Sequence, residues 1–281
     1  MHRPLTAADL LPHGPLTRLG RQLFIHDTIG STNTFLLGSA DTAGDGAVAW
    51  AEFQTAGRGR LGRQWQAPRG SSVILSVLLI EPVGSALPTR ATMLAALAAC
   101  EAIEAATDCA PAVRWPNDIV LGGLKLGGVL AESRPFAPPS GAVVQTAQRA
   151  VVIGIGINCL QQPGHFAGEL AGKATSLECA VAHPVNRAAV AAGVLARLDH
   201  WLAAGARDAA GWQRISEQWQ ARCADLGSRV TLEHDGRRFS GTVLEITGDG
   251  DLVVELEQGG RRRFAPANTT RACGSLALIA W

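Results

Sequence analysis

The run SSVILSVLLI, Ser71 to Ile80, constrains this chain more than any other segment. It is almost continuously apolar and rich in β-branched residues, without the two-residue alternation of a strand that has one face in water. Ser72 to Ile80 therefore reads as a central strand buried on both faces. Ala47 to Phe53 and Ala150 to Asn158 (AVVIGIGIN) are further apolar strands. Pro88 and Thr89 open a helix that runs to about Thr107, rich in Ala, Leu and Ile, stopped by Asp108 to Pro111 and packed on the sheet.

Around these elements the chain alternates short segments. Leu23 to Ile25 starts a strand, His26 to Gly30 reads as a turn, and Ser31, Thr32 and Asn33 lead into a short helix through Leu37. Asp41 to Gly46 is a Gly/Asp turn. Ala112 to Trp115 is a short strand broken by Pro116, and Ile119 to Leu121, Gly122–Gly123 and Lys125 to Glu132 form an antiparallel hairpin. That hairpin sets Asn117 and Asp118 at one end and Lys125 just past its turn. Pro135 to Gln148 reads as a surface loop and Gly164 to Ser176 as loop or short helix. Asn186 caps an amphipathic helix to about Ala204, and Trp212 to Cys223 forms another, with their tryptophans in the core.

The pattern changes at Gly227. Arg229 to Glu233, Arg238 to Ile246, Leu252 to Leu256, Arg261 to Phe264 and Ser275 to Ala280 are short strands separated by tight turns, the signature of a small β-barrel module. The expected division is a body of residues 1–225 and a module of residues 226–281.

Composition excludes several classes. At 281 residues, with 47% hydrophobic and 17% charged residues, this is an ordinary globular chain able to bury a sizeable core. A formal net charge of +1 gives no global attraction to nucleic acid or anionic membrane, so any phosphate chemistry must be local. Six scattered cysteines form no Cys-x-x-Cys pair and read as reduced, buried small hydrophobes. The first twenty residues hold no signal-peptide core and too little pattern for a helix-turn-helix module, and no segment reaches the ~18 apolar residues of a membrane span. A cytoplasmic protein with no membrane and no nucleic-acid partner is expected.

Chemistry concentrates in AEFQTAGRGRLGR, Ala51 to Arg63, followed by Trp65. Gly57, Gly59 and Gly62 let the backbone approach a ligand closely, and Arg58, Arg60 and Arg63 supply charged forks for carboxylate or phosphate. Alone, the segment is equally a solvated basic turn. Ser31 to Asn33 can cap backbone amides, contact a ligand, or both. Gly127 and Gly128 beside Lys125, and Gly154-x-Gly156-x-Asn158, mark strand positions where a bulge or a ligand comes close. The dinucleotide fingerprint Gly-x-Gly-x-x-Gly is not met. Together these segments suggest a strand-floored pocket with several cations and few acids, suited to a neutral polar ring with a carboxylate tail beside a nucleotide phosphate.

The paired signatures GRGRLGRQW and RWPND…KLGG, in this order and spacing, closely resemble those of the biotin–protein ligase family, over Leu23 to Ser176 and on into the small C-terminal module. The resemblance implies an α+β fold: a mixed, largely antiparallel sheet with flanking helices, similar to the class II synthetase core, followed by an SH3-like barrel. It implies a monofunctional, ATP-dependent enzyme that makes biotinyl-5′-AMP and passes biotin to a lysine of a biotin carboxyl carrier domain in a biotin-dependent carboxylase, with Mg²⁺ carried by ATP. A homodimer is compatible with it. Carried over by position, Ser31, Thr32, Asn33 and Gln54 read the ureido ring. Arg58, Gly59 and Arg60 wrap the carboxylate and phosphate, and Arg63 and Trp65 hold the nucleotide, Trp65 by stacking on adenine. Lys125 contacts the reacting groups, with Lys125 and Arg60 in the catalytic role, and Asn117 and Asn158 lie near the nucleotide and metal. Arg114 departs from the lysine usual before WPND. A lipoate–protein ligase, a biotin-sensing repressor and a binding module without turnover are the competing readings.

Overall fold

The computed structural model of the chain describes residues 3–11, 14–137, 146–181, 183–204 and 208–272. A mixed sheet contains β1 (Leu23–Ile29), β2 (Val48–Gln54), β3 (Ser72–Pro82), β4 (Ala112–Arg114), β5 (Asp118–Leu121), β6 (Leu124–Phe136) and β7 (Gln148–Asn158) in the order β1-β2-β3-β7-β6-β5-β4. β1 and β2 pair in parallel, and the other neighbours pair antiparallel. Parallel neighbours need a crossover, which two short helices supply between β1 and β2.

The helices, in chain order, are α1 (Ala7–Leu10), α2 (Thr32–Gly38), α3 (Ala40–Ala43), α4 (Leu87–Ala106), α5 (Leu177–Ala180), α6 (Arg187–Ala204) and α7 (Ala209–Ala221). Side chains alternate across a strand, so β3 and β7 each serve two layers. Val73, Leu75, Val77 and Leu79, with Val151, Ile153, Ile155 and Ile157, join the large core beneath α4 and α6. Leu78, Ala150 and Val152 join Leu36, Ala40 and Ala43 under α2 and α3 on the opposite face. Those two helices cover only one end of that face. Ile74, Gly154, Gly156 and Asn158 continue it toward the open end, where the candidate site lies.

A buried ion pair joins the two feet of the Gly/Arg segment. Glu52 on β2 and Arg187 on α6 meet at 2.7 Å, each no more than 4% exposed, and Arg187 also donates to Ser72 O on β3 at 3.1 Å. The other Glu52 oxygen accepts from Leu5 N at 2.8 Å and Trp50 Nε1 at 3.0 Å. A buried carboxylate is tolerated here because its lone pairs are filled.

A second, antiparallel sheet holds β8 (Arg229–His234), β9 (Arg237–Ile246), β10 (Leu252–Leu256), β11 (Arg261–Phe264) and β12 (Thr269–Arg271) in the order β11-β10-β9-β8-β12. Polar contacts fasten it to the body. Trp115 Nε1 donates to Gly250 O at 2.8 Å, Trp212 Nε1 donates to Gly248 O at 2.6 Å, and buried Asp225 accepts from Trp115 N at 2.6 Å while pairing with Arg271. Burial raises the Asp225 carboxyl above its ordinary range, against the opposing pull of Arg271.

Several expectations are corrected. β1 continues through Ile29 where a turn was expected, because His26 and Thr28 sit in the parallel ladder opposite Ala51 and Phe53. A turn of helix, α3, precedes Gly44 within the expected Asp41–Gly46 turn. The β6–β7 hairpin reaches the Phe136–Gln148 pair, so its arms take up both ends of the expected surface loop. The expected strand Ser275 to Ala280 lies outside the described residues, and the Thr269–Arg271 strand pairs with β8. Trp212 and Trp219 are buried as expected, whereas Trp201 is half-buried and donates to Glu101 at 2.9 Å. Five cysteines are described, all free: Cys100 and Cys159 are buried, Cys109 and Cys223 half-buried, and Cys179 is exposed, contrary to expectation. Burial pushes the Cys100, Cys159 and Cys223 thiols up to about 12. Among the described residues no helix is long and apolar enough to cross a membrane.

Candidate active site

A cavity of about 460 Å³ opens on the sheet face that α2 leaves bare. This is the size range of small-molecule sites. Ile74, Gly154, Gly156 and Asn158 form its floor, the start of α2 and the 55–70 segment wall one side, and the β5–β6 hairpin walls another. Thr270 and Arg271 reach it from the second sheet. Every residue given a binding or catalytic role from the sequence lines it: Ser31, Thr32, Asn33 and Gln54; Arg58, Gly59, Arg60, Arg63 and Trp65; Asn117, Lys125 and Asn158, whereas Gly57, Gly62 and Gly127 do not. Arg114 does not line the cavity; it donates to Gly123 O at 2.8 Å across the hairpin, and burial lowers its guanidinium pKa.

The α2 end is a closed polar network. Ser31 accepts from Thr34 N at 3.4 Å, so it caps the helix as its sequence position suggests, and Ser31, Thr32 and Asn33 are all buried. Gln54 Oε1 accepts from Thr32 N at 2.8 Å and lies 3.1 Å from Thr32 Oγ1. Ser76 Oγ lies 2.7 Å from both Thr32 Oγ1 and Asn33 Oδ1, while Asn33 Nδ2 donates to Glu132 at 3.0 Å and to Leu130 O at 3.2 Å. Gly154 is required beside it, since a Cβ there would collide with the Asn33 amide.

The opposite end is cationic. Five basic side chains, Arg58, Arg60, Arg63, Lys125 and Arg271, line the cavity against one carboxylate, Asp118, among the described residues. Lys125 Nζ sits 2.5 Å from Asp118, and Arg58 meets Glu132 at 2.8 Å. A bulge in the β5–β6 ladder between Ile119 and Val120 lets Lys125 reach back to Asp118. Arg60 spans further: it approaches Asn117 Oδ1 at 3.4 Å and donates to Thr269 O at 3.1 Å and to Pro266 O in the second sheet's connection. Burial lowers its pKa, outweighing the opposing pull of Asp118.

The Gly/Arg segment folds back on itself. Gly59 N donates to Arg63 O at 2.8 Å and Trp65 N donates to Gly57 O at 3.0 Å. At its tip Leu61 is 60% exposed and adopts φ 53°, a left-handed conformation that costs a non-glycine residue roughly 1–2 kcal/mol. Trp65 packs against the strand floor, where a Cβ on Gly156 would sit 2.7 Å from the indole. Its Nε1 is buried without a partner among the described residues.

Sequence reading missed Ser76, Gln161, Thr270 and Arg271. Ser76 stands inside an apolar run, where a small hydroxyl reads as filler. Gln161 lies in an irregular connection, and its amide joins Asn158 Oδ1 at 2.9 Å and Ser72 Oγ at 2.6 Å. Thr270 and Arg271 come from a separate sheet whose docking no local pattern encodes. No group of three or more His, Cys, Asp or Glu side chains among the described residues is placed to hold a metal ion.

A buried polar network at one end of a cavity and a ring of cations at the other define a protein that receives a ligand with a neutral polar head and an anionic remainder. The biotin/lipoate A/B protein ligase family profile matches residues 26–158. The biotin--[acetyl-CoA-carboxylase] ligase of Mycobacterium tuberculosis is 35% identical over 86% of this chain and 85% of its own length. The bifunctional ligase/repressor BirA of Bacillus subtilis is 31% identical over 88% of this chain and 73% of its own. The fold is shared with the biotin protein ligase from Aquifex aeolicus solved in complex with biotin and ATP, with a TM-score of 0.69 at 23% identity, covering 90% of this chain and 99% of that one. The chain belongs to the biotin/lipoate A/B protein ligase family.

Proposed function

We propose that this chain is a biotin–protein ligase. A biotin carboxylate oxygen attacks the α-phosphorus of ATP and pyrophosphate leaves, giving biotinyl-5′-AMP. A carrier lysine amine then attacks the acyl carbon, an amide forms and AMP leaves. The observation that carries this reading is the convergence of the polar network and the five cations on one cavity. Joining a carboxylate to a triphosphate brings like charges together, and preorganised cations are the protein's means of offsetting that repulsion.

In this reading Ser31, Thr32, Asn33 and Gln54 hold the ureido ring. Groups already fixed by Ser76 and the start of α2 discriminate sharply against ligands that leave them unpaired. Arg58, Gly59 and Arg60 hold the carboxylate and phosphate, Lys125 meets the reacting centre, and Arg63, Trp65, Asn117 and Asn158 serve the nucleotide. Mg²⁺ enters with the ATP phosphates, beside Asn117 and Asn158. Residues 1–225 form the catalytic domain, similar to class II synthetases, and 226–281 an SH3-like barrel. The protein works in the cytoplasm on a biotin carboxyl carrier domain, without a nucleic-acid partner. The relatives named biotin--[acetyl-CoA-carboxylase] ligase support a carboxylase carrier.

The family description also names lipoate. Intact-mass measurement of an acceptor carrier domain incubated with the chain, ATP and equal biotin and lipoate decides between the two. One biotinyl group on the carrier lysine is expected, and a lipoyl group would overturn the assignment.

A further inference from the structure

Gln161 lines the cavity, is 1% exposed, and has no part in the reading above. The orientation of its amide follows from its neighbours. Thr175 O can only accept, so the Asn158 group 3.0 Å from it is Nδ2, and Asn158 therefore turns Oδ1 toward Gln161. The Gln161 group 2.9 Å from that oxygen is accordingly Nε2, which also donates to Ser72 Oγ at 2.6 Å. Oε1 is left as a buried acceptor with no partner among the described residues. Native folds rarely retain such an atom unless a ligand or water satisfies it.

The surroundings narrow the donor. Gln161 is hydrogen-bonded to Asn158, which the ligase reading gives to the nucleotide, and Trp65, Phe166 and Leu170 line the same cavity, apolar surface suited to a base rather than to phosphate. The Trp65 indole N–H is a second buried orphan of opposite sense in the same cavity. We infer that Gln161 Oε1 accepts a hydrogen bond from the exocyclic amine of adenine, which makes Gln161 a specificity-determining residue for ATP over nucleotides that lack that amine or carry a 6-oxo group. The inference rests on the ligase reading of this cavity.

The test compares biotin-dependent pyrophosphate release by the full chain with ATP, 2′-deoxy-ATP, purine riboside 5′-triphosphate, which lacks the amine, and inosine 5′-triphosphate. The wild-type kcat/KM is expected to fall on the order of 10- to 100-fold without the amine, because the buried acceptor then stays unpaired, and further with the 6-oxo group. Gln161→Met should bring the ATP value down toward that of the purine riboside nucleotide while leaving the latter nearly unchanged. Equal use of ATP and purine riboside triphosphate by the wild type overturns the inference, as does selectivity that follows the ribose hydroxyl alone. A variant that loses all four nucleotides in parallel assigns Gln161 to packing and also overturns it. Should Gln161→Met fail to fold, Gln161→Leu takes its place in the same comparison, and a preference for ATP over purine riboside triphosphate left intact in it overturns the inference. Absence of biotin-dependent turnover with ATP removes the ligase reading and the inference together, whereas turnover without base discrimination removes only the inference.

Discussion

Replacing Lys125 with alanine removes the cation that the ligase reading sets against the reacting carboxylate and phosphate. Two unit charges about 4 Å apart interact by roughly 4 kcal/mol at an effective dielectric of about 20. The Lys125 and Asp118 side chains are 30% and 27% exposed, so solvent screening trims this to about 3 kcal/mol, on the order of a hundredfold in rate. Asp118 adds to the loss. Its carboxylate lies 2.5 Å from Lys125 Nζ, and without that partner it stands alone in a cavity built for anions. Lys125→Ala should therefore slow single-turnover pyrophosphate release at saturating biotin and ATP by ~10²–10³-fold. Adding Asp118→Asn should recover about tenfold, since one source of repulsion goes with it. Stability in urea should change by less than ~1 kcal/mol, as expected for a partly exposed pair. A Lys125→Ala rate equal to wild type, or a double variant no faster than the single one, would refute this reasoning.

Other consequences follow from the two ends of the cavity and from what is buried around them. Gly154→Ala pushes on Asn33 and Gly156→Ala on Trp65, so steady-state kinetics should show the first raising KM chiefly for biotin and the second chiefly for ATP; the same pattern in both variants would contradict the division of the cavity. Arg187→Leu, which leaves Glu52 buried without its partner, should lower the urea unfolding free energy by ~3–5 kcal/mol, and Glu52→Gln in the same chain, which removes the unpaired charge and keeps an acceptor for Leu5 N and Trp50 Nε1, should restore part of it. The Cys100, Cys159 and Cys223 thiols keep their protons to about 12 in the folded protein, while an unfolded chain releases them near ~8.5. Folded-state values raised in this way give stability that is intact below ~8.5 and lost as pH rises toward 12. Equilibrium unfolding across that range should show the decline, and at pH 8 a thiol reagent should label exposed Cys179 far faster than these three.

Much of the cavity was legible because its residues come in short, chemically loaded segments. The glycines of β7 and the arginines of the 57–63 segment announce close approach and charge without any tertiary knowledge. The apolar run of β3 and the Gly122–Gly123 turn fix the sheet centre and the hairpin that carries Lys125. What stayed hidden depends on distant partners. His26 and Thr28 look like turn residues until the parallel ladder with β2 holds them extended. The acids that meet the cations, Glu132 for Arg58 and Asp118 for Lys125, follow from strand register. Arg60 reaching the Pro266 and Thr269 carbonyls joins segments more than two hundred residues apart. Gln161 carried no signal, since its place at the cavity depends on how an irregular connection folds back over β3.

In the ligase reading, the cations converging on this cavity allow a carboxylate to be joined to the α-phosphate of ATP. Incubating the chain with biotin, ATP and Mg²⁺, without any carrier, and then analysing the protein-bound fraction tests it most directly. Biotinyl-5′-AMP retained on the protein, with matching release of pyrophosphate, is the expected result. Pyrophosphate no higher than in a control without biotin, with no adenylate on the protein, would contradict it.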